Sequence, residues 1–190
     1  MSETIVGHFI SCHEFQPGVE QLTLNFMPSS VPLKERWCNN GLSADFMADY
    51  MMTFLFRIEG CDKQMCNEIH SAVSFIANEL LENSMKYTTP TQKIMTSMSL
   101  CLLDNQVIFE TENETTHECF KQYRETMDVL LNCNPSELFL IRLEQNAIHE
   151  DSANLGLLTM LNDYNVKLGW KYQTSSQQKM RVITQVHMAI

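Results

Sequence analysis

The sequence predicts an α/β two-layer sandwich: a mixed, mostly antiparallel sheet with helices on one face. Three observations predict it. Segments of alternating apolar residues fall near the start, in the middle and at the end of the chain, and read as strands. Longer segments with apolar residues three and four apart lie between them and read as helices. The order is strand, helices, hairpin, helices, hairpin. Hairpins pair their strands antiparallel, and a sheet with one apolar face collects its helices there. At 190 residues a single compact domain is expected. It divides into an N-terminal strand and helix over 1–60 and a larger part over 61–190.

The first strand covers 19–27, where Leu22, Leu24 and Phe26 alternate and Pro28-Ser29-Ser30 ends the run. Residues 33–41 contain Trp37 and close on Asn39-Asn40-Gly41, a turn signal. Ser43 then caps a helix that carries Phe46, Met47, Tyr50, Met51, Phe54 and Leu55 on one broad face. Such a stripe serves as core, or as a dimer or partner surface. Gly60 separates it from a helix over about 62–87, which Thr88-Thr89-Pro90 stops. Strands over 94–103 and 106–112 flank Asp104-Asn105 and form a hairpin. The polar stretch 112–116 leads into helices near 117–132 and 135–148, joined at Asn134-Pro135. A short helix near 155–164 follows. Strands over 166–174 and 179–188, either side of Ser175-Ser176-Gln177-Gln178, close the chain.

Composition narrows the function classes. Hydrophobic residues make up 44% and charged residues 19%, the balance of a chain that buries a core. No run approaches the ~20 apolar residues of a membrane span, and Met1-Ser2-Glu3-Thr4 lacks the basic residues of a signal peptide. A cytoplasmic protein is expected, with no membrane partner. The net charge of −10 argues against non-specific nucleic-acid binding, which needs Lys and Arg to neutralise phosphates, and is compatible with solubility or with basic protein partners. Seven cysteines, an odd number without a Cys-x-x-Cys pair, argue against a disulfide scaffold. Neither His8, Cys12 and His13 nor His117 and Cys119 have the paired spacing of a zinc site. These cysteines are expected to be isolated small apolar residues.

The helix over 62–87 holds the most informative residues. Ile69, Val73, Ile76 and Leu80 share one face. Asn83 falls inside that apolar stripe and Glu79 at its edge, at about 100° per residue. A carboxylate removed from water without a partner is costly. A buried polar network, a metal or a ligand is therefore expected beside it.

Glu79-x-x-x-Asn83 followed by Lys86-Tyr87 resembles the N box of the GHKL ATPases, the superfamily of histidine kinases and anti-sigma-factor serine kinases. The resemblance implies Mg²⁺ on Asn83, a catalytic base at Glu79, phosphate contact from Lys86 and an adenine flanked by Tyr87. Mg²⁺ does prefer oxygen ligands shared with substrate phosphates. A second match lies about 70 residues on. Asn154-Leu155-Gly156-Leu157-Leu158 resembles the family's second glycine box, which opens a short helix beneath the phosphates, so Leu155, Gly156 and Leu157 are implied to line the ATP site. The run Asn162 to Leu168 resembles the helix-to-strand passage of the serine kinases. Glu35-Arg36-Trp37 and the stretch from Asn39 to Tyr50 resemble the N-terminal segment of small stand-alone GHKL regulators from cyanobacteria, which together with SiaB-type kinases make the nearest group.

The departures weigh equally. Where the family has Asp-x-Gly-x-Gly, this chain has Glu112-Asn113-Glu114-Thr115-Thr116, leaving Asn113 as the implied, uncharged partner of the adenine amino group. Only Gly156 remains of the second box, and Ser175 to Gln178 replace a glycine-rich turn. Glycine admits backbone N–H groups close to phosphate, so such a cleft is expected to bind ATP weakly or not at all. His70 and His149 do not sit in a phospho-acceptor helix, which disfavours a sensor histidine kinase.

Two functions follow from the resemblance. One is a Mg-ATP-dependent serine/threonine kinase acting on a small STAS-like or SiaC-like protein. The other is a degenerate GHKL module that switches partners without chemistry, with the helix from residue 43 as a dimer or partner contact.

Overall fold

In the computed structural model, residues 3–11, 19–26, 33–55, 62–87, 95–103, 106–148, 155–176 and 179–190 are described, with side chains except at 33–39, 145–148 and 176. The elements run β1 (Thr4–Gly7), β2 (Glu20–Phe26), α1 (Leu33–Leu55), α2 (Lys63–Lys86), β3 (Thr96–Leu103), β4 (Gln106–Thr116), α3 (His117–Asn132), α4 (Pro135–Ile148), α5 (Leu155–Asp163), β5 (Lys167–Ser176) and β6 (Lys179–Ala189). The strands form one six-stranded sheet in the order β1-β5-β6-β4-β3-β2. Every pairing is antiparallel, so the sheet is not mixed as the sequence suggested. The architecture is the expected two-layer α/β sandwich.

Period-two alternation builds the layer. Phe109 pairs with Val186, Leu100 with Phe109, and Leu168 with Val186, and these residues all turn to one face. There they meet Val73, Ile76, Leu80 and Leu81 of α2 in a single apolar core with Met47, Met51 and Leu55 of α1. Antiparallel packing of α1 on α2 is fixed by three contacts in reverse order. Asn40 Nδ2 donates to Met85 Sδ at 3.4 Å, Ser74 Oγ to Asp45 Oδ1 at 2.6 Å, and His70 Nε2 lies 2.9 Å from Asp49 Oδ1.

α1 departs from its expected start at Ser43. It begins at Leu33 and runs through Asn39-Asn40-Gly41, which the sequence marks as a turn. A helical glycine costs about 1 kcal/mol, and the buried row Ala44, Met47, Ala48, Met51 and Leu55 offsets it. The aromatic half of the stripe is not core: Phe46 is 52% exposed, and Tyr50 and Phe54 meet edge-on at the surface. β4 also runs further than expected. Residues 112–116, expected as a polar stretch leading into a helix, continue the strand in register with Lys179 to Ile183. β1, which has no counterpart in the sequence reading, adds a short edge strand to β5. Cys66 corrects the expectation of isolated thiols: it is buried and disulfide-bonded, while Cys101, Cys119 and Cys133 are free. The turns at 104–105 and 177–178, and the breaks at Gly60 and Pro90, lie outside the described residues. No helix among the described residues is long and apolar enough to cross a membrane.

The opposite face of the sheet is crossed by the chain after β1. Gly7 turns with φ 73°, and His8 N–H donates to Leu168 O at 2.8 Å. The Gln185 side chain then grips the Ile10 backbone at both ends: it accepts from N–H at 3.0 Å and donates to C=O at 2.8 Å.

Candidate functional site

α2 starts cleanly because Asp62 Oδ1 accepts the Met65 N–H at 2.8 Å, an N-cap that satisfies one free donor. Its buried face carries Ala72, Val73, Ile76, Ala77, Leu80, Leu81, Ser84 and Met85. This sets Glu79, Asn83 and Tyr87 on consecutive turns along the border between core and cleft.

The structure distributes the expected site residues over two places. Glu79 faces α5. A Cβ added to Gly156 would overlap the Glu79 carboxylate, so these two expected site residues are in direct contact. Burial raises the Glu79 pKa above the usual carboxylate range, and the nearby Glu82 adds to it. Leu157, expected to line the phosphates, is fully buried in the core, and Leu155 is half-buried at the start of α5. Lys86 is exposed, with Nζ 5.7 Å from the Tyr87 ring centre.

Asn83 belongs to the second place, a cleft between α2 and the sheet. It is lined by Leu80, Asn83, Ser84, Tyr87, Thr111, Asn113, Tyr123 and Thr184. β4 and β6 supply the floor, since Thr111 pairs with Thr184 and Asn113 with Val182. Asn113 lies here, 5% exposed on strand β4. The floor is polar for a helix–sheet contact.

Sequence reasoning missed the residues that dominate this cleft. Tyr123, from α3, lies flat on Tyr87, with ring centres 4.4 Å apart and planes 27° apart. Its hydroxyl accepts from Trp170 Nε1 at 3.0 Å and shares a hydrogen bond of 3.1 Å with Thr184 Oγ1. Burial pushes the Tyr123 phenol up to about 12 against the lowering effect of those two partners. Tyr87 is raised as well, again chiefly by burial, with a hydrogen bond to Thr126 acting the other way. Only the spacing of Tyr123 with Phe120, Met127 and Leu130 on one face of α3 could have signalled its inward direction.

The tyrosine pair decides what fits. The open volume left is about 10 Å³, room for about one water, against roughly 300 Å³ at the small end of ligand pockets. A purine between Tyr87 and Asn113 has no space in this arrangement. No carboxylate lines the cleft beside Asn83, whereas Mg²⁺ sites draw on carboxylates and phosphates. The described residues therefore do not fit Mg-ATP.

No family model matches the chain. No curated protein matches it either. Among solved structures, a chain of the crystal structure of the SiaB-SiaC complex from Pseudomonas aeruginosa superposes with a TM-score of 0.59 at 14% identity, covering 89% of each chain. At that identity the likeness is one of fold.

Proposed function

We propose that the chain is a signalling regulator that switches protein partners on a GHKL-like scaffold, without nucleotide chemistry. The observation that carries this is the stacked Tyr87–Tyr123 pair filling the cleft beside Asn83 and Asn113. The structural neighbour supports the partner half of the reading, because it was crystallised as a SiaB-SiaC complex, and its matched chain spans most of this one. A small SiaC-like or STAS-like protein is the partner class we assign. The acidic chain adds a charge preference for a basic contact surface on that partner. The N-box residues then act structurally: Asn83 borders the tyrosine pair and Glu79 abuts α5.

A second reading is a serine/threonine kinase, favoured by Glu79. Its raised pKa and its contact with Gly156 are what a general base beside a phosphate helix would need. Calorimetric titration of Mg-ATP and Mg-ADP into the pure protein separates the two. The proposed function expects no heat at millimolar nucleotide. Micromolar binding that Asn83→Ala abolishes would overturn it in favour of the kinase.

A further inference from the structure

We infer that the outer face of α4, with the groove between α4 and α3, docks an amphipathic helix of the protein partner, one whose apolar stripe is flanked by Lys or Arg. This deepens the reading above and rests on it.

α4 has the composition of a buried helix and the exposure of a surface one. Five of the six residues from Leu138 to Leu143 are apolar, and a helix without a polar side belongs inside a protein. Yet no residue from 135 to 144 is buried. Leu140 is 62% exposed, Ile141 49% and Leu143 43%. The helix is nonetheless seated. Asn134 Oδ1 accepts the Ser136 N–H at 3.1 Å, Ser136 Oγ donates to Asn162 Oδ1 of α5 at 2.7 Å, and Leu138 and Phe139 pack against the core. At about 100° per residue, Glu137, Leu140, Ile141 and Glu144 then share the outward face. Single exposed apolar residues are ordinary, but a contiguous patch marks a contact surface.

The patch continues toward α3. A groove of about 260 Å³ there is walled by Val129, Leu130, Leu138 and Leu158, and Val129 is itself 43% exposed. Leu138 lies one turn before Ile141, so groove and crest adjoin. An apolar groove beside a helix crest is a seat for another helix.

Charge selects that helix. Glu137 and Glu144, both exposed, bracket Leu140 and Ile141, and Glu125 stands at the groove. Arg142 is the one cation lining the groove among the described residues, and it already interacts with another group of the chain. A second copy of α4 laid antiparallel over Leu140 and Ile141 brings Glu137 against Glu144. Laid parallel, it sets each glutamate against its own copy. Like charges facing each other penalise both arrangements, and the net charge of −10 adds to the penalty. Lys or Arg at the facing positions of a partner helix turns both repulsions into attractions.

The probe is a fluorescein-labelled peptide of about 15 residues, long enough to form a helix, with Leu three and four apart and Lys elsewhere. Fluorescence anisotropy should show saturable binding to the wild type. Leu140→Asp with Ile141→Asp should weaken it by at least about tenfold, and Glu137→Lys with Glu144→Lys by a similar factor. Met95→Asp, at a site 50% exposed ahead of β3, should leave it unchanged. A peptide with Glu in place of Lys should not bind. These positions are all exposed, so the variants should keep the wild-type circular dichroism spectrum. If the Asp pair does not fold, Leu140→Asp alone carries the test. Absence of saturable binding, undiminished affinity in the Asp pair, or equal loss with Met95→Asp overturns the proposal. So does wild-type dimerisation in sedimentation that the Asp pair abolishes, which would make a second copy the occupant. Mg-ATP binding by the wild type would sink the functional reading, whereas failure of the peptide sinks this surface alone.

Discussion

Glu79 and Gly156 meet so closely that each dictates what the other position can hold. Gly156 has no Cβ, and the space a Cβ would take is filled by the far end of the Glu79 side chain. In a helix, alanine is favoured over glycine by up to about 1 kcal/mol. Here that gain is set against displacement of a half-buried carboxylate. Gly156→Ala should therefore be neutral or destabilising in the native chain and stabilising once Glu79→Ala has cleared the space. Urea denaturation of the four proteins should show a coupling of about 1 kcal/mol. Additive effects would mean that the two residues do not touch in solution. Glu79 and Gly156 each stand out in the sequence through the motif they resemble. Their mutual contact was not, because sequence spacing says which residues share a helix face and not which helix that face meets. Tyr123 was illegible for a related reason. An aromatic residue on the apolar stripe of an amphipathic helix signals burial, but not that it crosses into a cleft built by other elements.

The outer face of the sheet shows how a strand depends on what crosses it. The backbone of His8 and Phe9 passes directly over Gly169 of β5. An added Cβ would collide with the His8 carbonyl and lie 2.9 Å from Phe9 N. These are backbone atoms, so they cannot rotate away as a side-chain end can. Gly169→Ala should destabilise the protein by about 1–3 kcal/mol, in the range of overpacked interiors. Unchanged urea stability would show that residues 8–11 do not hold this path. β1 itself could not be foreseen, since four residues are too few to show alternation. The helices α2, α3 and α4 were foreseen almost to their ends. Their apolar spacing runs over several turns, and turn chemistry at Asn134-Pro135 agrees with it. α1 and β4 overran their expected limits where tertiary packing outweighed local signals. Buried methionines carried the helix through Asn39-Asn40-Gly41. Pairing with β6 carried the strand through Glu112 to Thr116, where Arg181 forms a bidentate pair with Glu112 at 2.7 Å for each bond.

At the scale of the whole molecule, stability should depend on acid through one histidine. His187 is buried on β6 beside the crossing segment, with its ring edge-on to His8 at 4.6 Å. Its Nε2 lies 3.1 Å from Gln185 Oε1, and its Nδ1 is buried without a partner. Burial lowers its pKa to about 4, and the charges of His8 and Lys167 act in the same direction. The sign follows from linkage. The folded state favours the neutral ring, so the contribution is complete above the ordinary value of 6.5 and is lost as pH falls toward about 4. Urea midpoints should drop across that interval, and His187→Leu should flatten the drop. A midpoint equally steep in the variant would assign the acid sensitivity elsewhere. The same view explains the sheet's unity: Gln185 joins the crossing segment to β6 and, through Glu110 at 2.6 Å, to β4. Protonation next to that junction loosens three parts of the chain together.

The tyrosine carried by α3 has one more consequence. A freely diffusing effector can be diluted, dialysed away or outcompeted. A ring tethered a few bonds from its own backbone cannot, because its local concentration is fixed by the length of the tether. The Tyr123 ring therefore stays beside Tyr87 for as long as α3 keeps its place on the sheet. A contact that shifted α3 would carry the ring out of the cleft with it.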